Sequence, residues 1–379
     1  MASKKTNSSK FSWFLNNPVD FTLVIIVLIL LCLGLIMVLS ASSPKSLSEY
    51  GTSYQFFVKQ LIFAILGLIA MAMISKIDYR FYKKFYKLAW IVSIILLALV
   101  LVIGKEVNNA KRWIEVANGA LSVQPSELVK FLMIVFYAGM LTKNRDELGN
   151  FWTGLVKHIC MLAPIIVLLM LEPHFSASIV IVGICCIMMI MAGCKLWQFL
   201  ASGLSIGIPL IIVLIKAAPY RLQRVVTFMD PWQDPTDTGW QVIQSLYAIG
   251  SGGLFGTGLG EGKQKYLYLP EPQNDFIFSV LAEELGFIGC VVVIVLFILL
   301  IWRGILIAMK APDMFGSLVA IGITALIGIQ VIINIAVVTS SMPATGMPLP
   351  FFSSGGTALF ILLCEMGVLL NISRASLKN

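Results

Sequence analysis

Long apolar stretches alternate with short polar ones along almost the whole chain. No charged residue falls between Phe21 and Ala41, between Gln60 and Ser75, or between Phe315 and Phe352. About 20 apolar residues carry a helix across the hydrocarbon layer, and a helix satisfies its own backbone there. The runs are continuous, whereas the strands of a membrane barrel alternate apolar and polar over about ten residues. The pattern predicts an all-α integral membrane protein with about ten transmembrane helices, over 20–41, 56–75, 87–104, 125–142, 157–171, 176–193, 196–216, 275–301, 315–339 and 355–371. A polar basic tail, 1–19, precedes them, the transmembrane domain occupies 20–372, and a short tail, 373–379, follows. The first apolar run exceeds the 7–15-residue core of a cleaved signal peptide and reads as a retained anchor.

Composition agrees: 12% of the 379 residues are charged, about half the usual share of a soluble domain. The net charge of +8 does not signal nucleic acid, because the cations sit in short loops between apolar runs, where they set topology and meet anionic lipid heads. Lys4, Lys5 and Lys10 open the chain, the segment Lys76 to Lys87 holds five cations, and Lys143, Arg145, Lys157, Arg303, Lys310, Arg374 and Lys378 follow. With an even number of crossings these share one side. Both termini are then cytoplasmic, and 42–55, 105–124, 172–175, 217–274 and 340–354 lie outside. The seven cysteines show neither Cys-x-x-Cys spacing nor a histidine at metal spacing, and read as small apolar residues.

The outer loop 217–274 is far longer than an ordinary connection and rich in Trp, Tyr, Leu and Ile, which argues for function rather than disorder. Trp240 to Ile249 fits an interfacial amphipathic helix. Six glycines follow between Gly250 and Gly260, spaced neither as a Walker loop nor as a dinucleotide fingerprint. Tight turns and close backbone approach to a phosphate both suit them. No internal repeat of the transporter kind is visible.

Several polar groups stand where chemistry is possible. Asp275 enters a helix from the long loop, at the water–lipid boundary, either as a helix cap or as a general base whose pKa burial would raise. Glu283 and Glu284 follow about 12–13 Å deeper, too far from Asp275 for the carboxylate pair of a glycosidase, and need partners if buried. Glu127 and Lys130, three apart after Gln124-Pro125-Ser126, can pair with each other, or Lys130 with Glu283 or Glu284. Arg112 and Trp113 form either an interfacial anchor or a clamp for an anionic headgroup. Met342 to Gly356 is apolar yet broken by Pro and Gly, as backbone lining a cavity would be. Gln330 and Asn334 form a polar stripe suited to helix packing.

Lys111-Arg112-Trp113, Gln124 to Lys130, Gly239 to Gly260, Leu269 to Gly289, Met342 to Gly356 and Leu370 to Arg374 together resemble the SEDS family (shape, elongation, division and sporulation). The resemblance covers the chain beyond its first twenty residues. Gln264 to Pro272 and Met342 to Gly346 look nearer the division and sporulation branch (FtsW, SpoVE) than the RodA branch. It implies a peptidoglycan glycosyltransferase of the plasma membrane that polymerises lipid II at the outer face, alongside a class B penicillin-binding protein and other division or elongation proteins. Asp275 matches the family's essential acidic residue. Arg112, Trp113, Gln124, Glu127, Lys130, Glu283, Ser353 and Gly355 are the implied substrate-binding residues. A divalent cation, Mg²⁺ or Mn²⁺, is implied without assigned ligands, and no organic cofactor. One departure stands out: the family commonly has Asp after Glu-Pro, and here His174 follows Glu172-Pro173. His174 could hydrogen-bond Glu127 instead, leaving the partner of Lys130 open.

A flippase for lipid-linked precursors and a non-catalytic scaffold for cell-wall enzymes are the competing expectations. Sidedness bears on all three. A single cysteine placed between 217 and 274 should react with a membrane-impermeant maleimide in intact cells. Labelling only after permeabilisation would put the loop in the cytosol, out of reach of the expected substrate.

Overall fold

The computed structural model describes residues 19–107, 110–116, 121–202, 207, 219–235, 239–266 and 268–376. Among them, nine helices are long and apolar enough to cross a membrane. These are α1 (Phe21–Tyr50), α2 (Gln55–Ile74), α3 (Tyr86–Ile103), α4 (Pro125–Lys143), α5 (Lys157–Leu171, entered through a π-helical turn, Phe151–Val156) and α6 (Phe175–Ala192). Shorter helices α7 (Leu196–Ser202), α8 (Pro219–Met229) and α9 (Trp240–Ser251) precede the last three spans, α10 (Ile277–Met309), α11 (Met314–Val338) and α12 (Gly356–Ser376). α11 packs along α10, α6 and α4, and α12 lies along α2. Nine predicted spans are met. The tenth, 196–216, is seen only as α7, and the rest of it lies outside the described residues. α6 ends at the face where α1 begins, while Arg224 of α8 bonds Ala344 at the opposite one.

Several boundaries differ from those expected. α10 runs to Met309 rather than ending near residue 301. α1 continues to Tyr50 rather than ending near residue 41, because tertiary contacts and a Gly51 cap (φ 69°) hold its polar last turns. α12 runs to Ser376, so helix occupies most of what reads as the tail 373–379. The segment 105–124 is not plain loop: β1 (Lys105–Val107), β2 (Ala110–Val116) and β3 (Leu121–Val123) form an antiparallel meander, pairing Glu106 with Lys111 and Ile114 with Val123.

Polar pairs give the bundle its register against the bilayer. Arg303 Nε donates to Asp20 Oδ2 at 2.8 Å, and Ser40 Oγ donates to Glu284 Oε1 at 2.6 Å. The stretch from Asp20 to Ser40 thus runs antiparallel to that from Glu284 to Arg303, about 30 Å at the helical rise, which is the thickness of the hydrocarbon core. Asp275, nine positions before Glu284, stands up to about 13 Å beyond it.

α10 is broken two residues past Glu284. Gly286 has φ 67° and ψ −167°, a region open essentially to glycine alone. The break opens the two helical bonds that Phe287 and Ile288 would make to Glu283 and Glu284. All four freed groups are taken up by the glycine-rich loop. Phe287 N donates to Gly253 O (2.9 Å), Ile288 N to Leu254 O (3.2 Å), Thr257 N to Glu283 O (2.9 Å) and Gly258 N to Glu284 O (3.1 Å). The close approach the glycines permit is thus to α10 itself: a Cβ on Gly286 would fall 2.2 Å from Gly256 N. Gly286→Ala should cost about 1–3 kcal/mol, read as a lower Tm in detergent together with faster proteolysis within 253–266. An unchanged Tm would mean that the break is not fixed by this residue.

Candidate functional site

Asp275 is the last residue but one before α10, half-buried in a pocket of backbone. Side chains from two distant spans and from the last outer loop hold the turn around it. Asn334 of α11 donates both amide hydrogens, one to Asp275 O and one to Met347 O, each at 2.7 Å. Ser353 Oγ donates to Asn274 O at 2.6 Å and accepts from Leu349 N at 2.7 Å. Gln60 of α2 donates to Ser353 O and accepts from Gly355 N, both at 3.1 Å. The Pro- and Gly-broken loop 342–355 is thereby folded back over the carboxylate. Gly346 (φ 72°) is its nearest point, since a Cβ there would lie 3.6 Å from Asp275 Oδ2.

Burial pushes the Asp275 carboxyl up to about 6, and nearby Glu271 adds to the shift. Its own backbone N–H and Arg224 oppose it. Arg224 is exposed on α8 and donates to Ala344 O at 2.8 Å. Ser176 at the start of α6 holds the neighbouring Thr345 carbonyl. The arrangement offers a carboxylate poised to accept a proton near neutral pH, covered by the last outer loop and with the cation of Arg224 near it.

A second polar group lies deeper, between α4, α11 and α12. Lys130, 2% exposed, pairs with Glu127 at 2.6 Å. Glu127 lines a cavity of about 40 Å³ with Gln330, Ser353, Gly355 and Glu365. Space on that scale holds one or a few waters among polar walls. The expected bond between His174 and Glu127 is not formed. His174 caps α6, accepting from Ala177 N at 3.4 Å through Nδ1, and its Nε2 lies 2.6 Å from the Gln124 amide. Accepting at Nδ1 leaves the proton on Nε2, so Gln124 should present its amide oxygen there. Burial, with Arg112 and Lys130 nearby, holds the ring down to about 3 and hence neutral.

Arg112, half-buried in β2, donates to the carbonyls of Glu172 (3.4 Å) and Pro173, tying the meander to the α5–α6 turn. Burial lifts the adjoining Glu172 carboxyl to about 8, against the pull of Arg112. Trp113 is half-buried opposite Lys105 in the same strand. Glu283 is brought to neither group. Its carboxylate accepts from Lys263 N at 2.7 Å and Gln264 N at 3.2 Å. Glu284 next to it binds Lys265 Nζ at 2.7 Å, a pair that Ser40 and the Gly260 carbonyl complete. The suggested pairing of Lys130 with either glutamate does not occur; both serve the loop.

Residues that sequence reasoning passed over are Arg224, Glu365, Lys265 and Gln60. Gln60 and Glu365 carried a signal, being polar inside otherwise apolar spans. Arg224 and Lys265 carried none, as cations in a long polar loop.

A family model described as "Cell cycle protein" (FTSW_RODA_SPOVE) matches residues 21–378. Stage V sporulation protein E of Bacillus subtilis is 46% identical over 359 residues, spanning 94% of this chain and 97% of that one. A probable peptidoglycan glycosyltransferase FtsW of Geobacter sp. (strain M18) is 41% identical, over 93% and 96%. Among solved structures, a peptidoglycan synthase complex described for its coordination of polymerization and crosslinking superposes with a TM-score of 0.79 at 28% identity, over 95% of this chain and 99% of that one. The rod shape determining protein RodA of Thermus thermophilus gives 0.67 at 27% identity, over 94% and 97%.

A carboxyl whose pKa rises on folding destabilises the fold once ionised. For Asp275 the penalty is absent below about 3.8, grows up to about 6 and is constant above. Asp275→Asn should therefore raise Tm relative to wild type at pH 7.5 and leave it unchanged at pH 4. Equal shifts at both values would show that the carboxyl is not strained by burial.

Proposed function

The chain belongs to the FtsW, RodA and SpoVE family of cell cycle proteins, and we propose that it is a peptidoglycan glycosyltransferase in which Asp275 is the general base. What supports the reading is a half-buried carboxylate at one end of the helix bundle, lifted by burial to about 6, with Arg224 near it. A lipid-linked disaccharide presents its pyrophosphate and sugars just beyond the hydrocarbon edge, the level reached by the outer half of α10. Asp275 takes the proton from the 4-hydroxyl of the acceptor's N-acetylglucosamine. That oxygen attacks C1 of the donor's N-acetylmuramic acid from the face opposite the departing lipid pyrophosphate, with inversion.

Lys130 was an expected neutraliser of the leaving group, but it is buried and paired within its own helix with Glu127. Arg224, exposed next to Asp275, fits that task better. Arg112 is committed to the α5–α6 turn and acts by placing it. Ser353, Gly355 and Asn334 act by shaping the backbone round the carboxylate. A divalent cation fits this rim only where phosphate oxygens and water supply most ligands, since no three His, Cys, Asp or Glu side chains converge among the described residues. Glu271, the carboxylate near Asp275, is bonded to Lys45, Gln273 and Asn274, and such an ion would neutralise pyrophosphate charge. The site opens to the extracytoplasmic side, and the product strand passes to a class B penicillin-binding protein for crosslinking.

Purified protein with that partner, lipid II and Mg²⁺ or Mn²⁺ should yield glycan strands. General-base help is worth about 10²–10⁴ in rate, so Asp275→Ala should fall by at least that much while the protein stays folded. Wild-type rate should rise with pH through about 6, as the carboxyl ionises. Full polymerisation by Asp275→Ala would remove the mechanism, and lipid II translocation without polymer would favour a flippase. Arg224→Gln should lower the rate and Arg224→Lys restore part of it.

A further inference from the structure

At the opposite end of the bundle, a cavity of about 390 Å³ opens between α3, α4 and α5. Its walls are Tyr86, Trp90, Ile91, Phe136, Met140 and Met161. The aromatic side is preformed. Phe136 stacks on Tyr86 (centroids 6.3 Å apart) and leans on Trp90 (5.9 Å), and Trp90 Nε1 donates to Met161 O at 2.9 Å. Gly139 makes room for this packing, since a Cβ there would meet Tyr86 Cγ at 2.4 Å. The cavity lies at the helix ends, as α3 begins at Tyr86, α4 ends at Lys143 and α5 begins at Lys157.

Three lysines ring the mouth: Lys87, Lys143 and Lys157. One carboxylate answers them, Glu147, which binds Lys157 at 3.2 Å. No carboxylate among the described residues lies within ion-pair distance of Lys87 or Lys143. The start of α3 and the end of α4 oppose each other here, so their dipoles roughly cancel and the charge of the mouth is that of the lysines. An apolar, aromatic slot at headgroup level with a cationic rim complements one kind of occupant: an anionic headgroup outside and acyl carbon inside.

We propose that this cavity is a binding site for an anionic phospholipid, with its phosphate held by Lys87, Lys143 and Lys157 and its upper acyl chain against Tyr86, Trp90, Phe136 and Met161. The site is separate from the chemistry around Asp275, and its test does not depend on catalysis. A lysine near an anionic surface is worth roughly fivefold in affinity. Three converging on one phosphate give on the order of a hundredfold.

Native mass spectrometry of the purified full chain, titrated with phosphatidylglycerol or phosphatidylcholine, reads the site directly. Wild type should retain one phosphatidylglycerol in preference to phosphatidylcholine. Replacing Lys87, Lys143 and Lys157 together by Gln should abolish that preference, and replacing them by Arg should keep it. The control removes the same charge from Lys76, Lys83 and Lys84, exposed residues at the same end that lie outside the cavity, and should retain the lipid. Ile91→Trp, which fills the slot and leaves every lysine in place, should lose it. Equal loss in the two Gln triples would reduce the effect to diffuse attraction and overturn the proposal. Equal retention of phosphatidylcholine, or retention by Ile91→Trp, would do so too.

Discussion

Two helical hydrogen bonds given up at Gly286 organise the outer end of this protein. A backbone N–H or C=O left unpaired at the edge of hydrocarbon costs several kcal/mol, so a helix can break there only if something else takes the freed groups. The loop 253–258 does so, bond for bond, and thereby becomes part of α10. Glu283 and Glu284 then use their carboxylates to hold the rest of the loop, through the amides of Lys263 and Gln264 and the ammonium of Lys265. A pair of acidic residues that resembles catalytic machinery is in fact the fastening of a long loop.

That fastening decides where Asp275 stands. The segment of α10 ahead of the break begins at Ile277, and the turn before it is pinned by Asn334 and Ser353, with Gln60 holding Ser353. Each of these side chains uses its hydrogen-bonding capacity on backbone of the turn or of the last outer loop. Irregular backbone near a membrane is thus made rigid by polar side chains that are themselves buried among helices. A carboxylate set in such a frame loses solvent without gaining a tight ion pair, and so its pKa rises toward neutrality.

The deeper charges do different work. Lys130, Glu127 and Glu365 sit between α4 and α12 near a small polar cavity. Arg112, Glu172, His174 and Gln124 join the β-meander to the α5–α6 turn. The neutral His174 ring caps α6 and reaches Gln124, while Lys130 pairs with Glu127.

The amino-acid order by itself determined the membrane class, nine of the spans to within a few residues at most ends, and Asp275 as the residue to examine. These follow from local properties: the cost of backbone in lipid fixes the length of apolar runs, and a helix entrance beside a long loop is visible in the chain. Only the tertiary structure decided that α1 continues to Tyr50, that β1, β2 and β3 pair as strands, and that Glu283, Glu284 and the glycines serve one another. It alone brought Arg224, Gln60 and Asn334 to the neighbourhood of Asp275. Those contacts join segments dozens to hundreds of positions apart, and no periodicity within a single segment records which distant groups will pair with it.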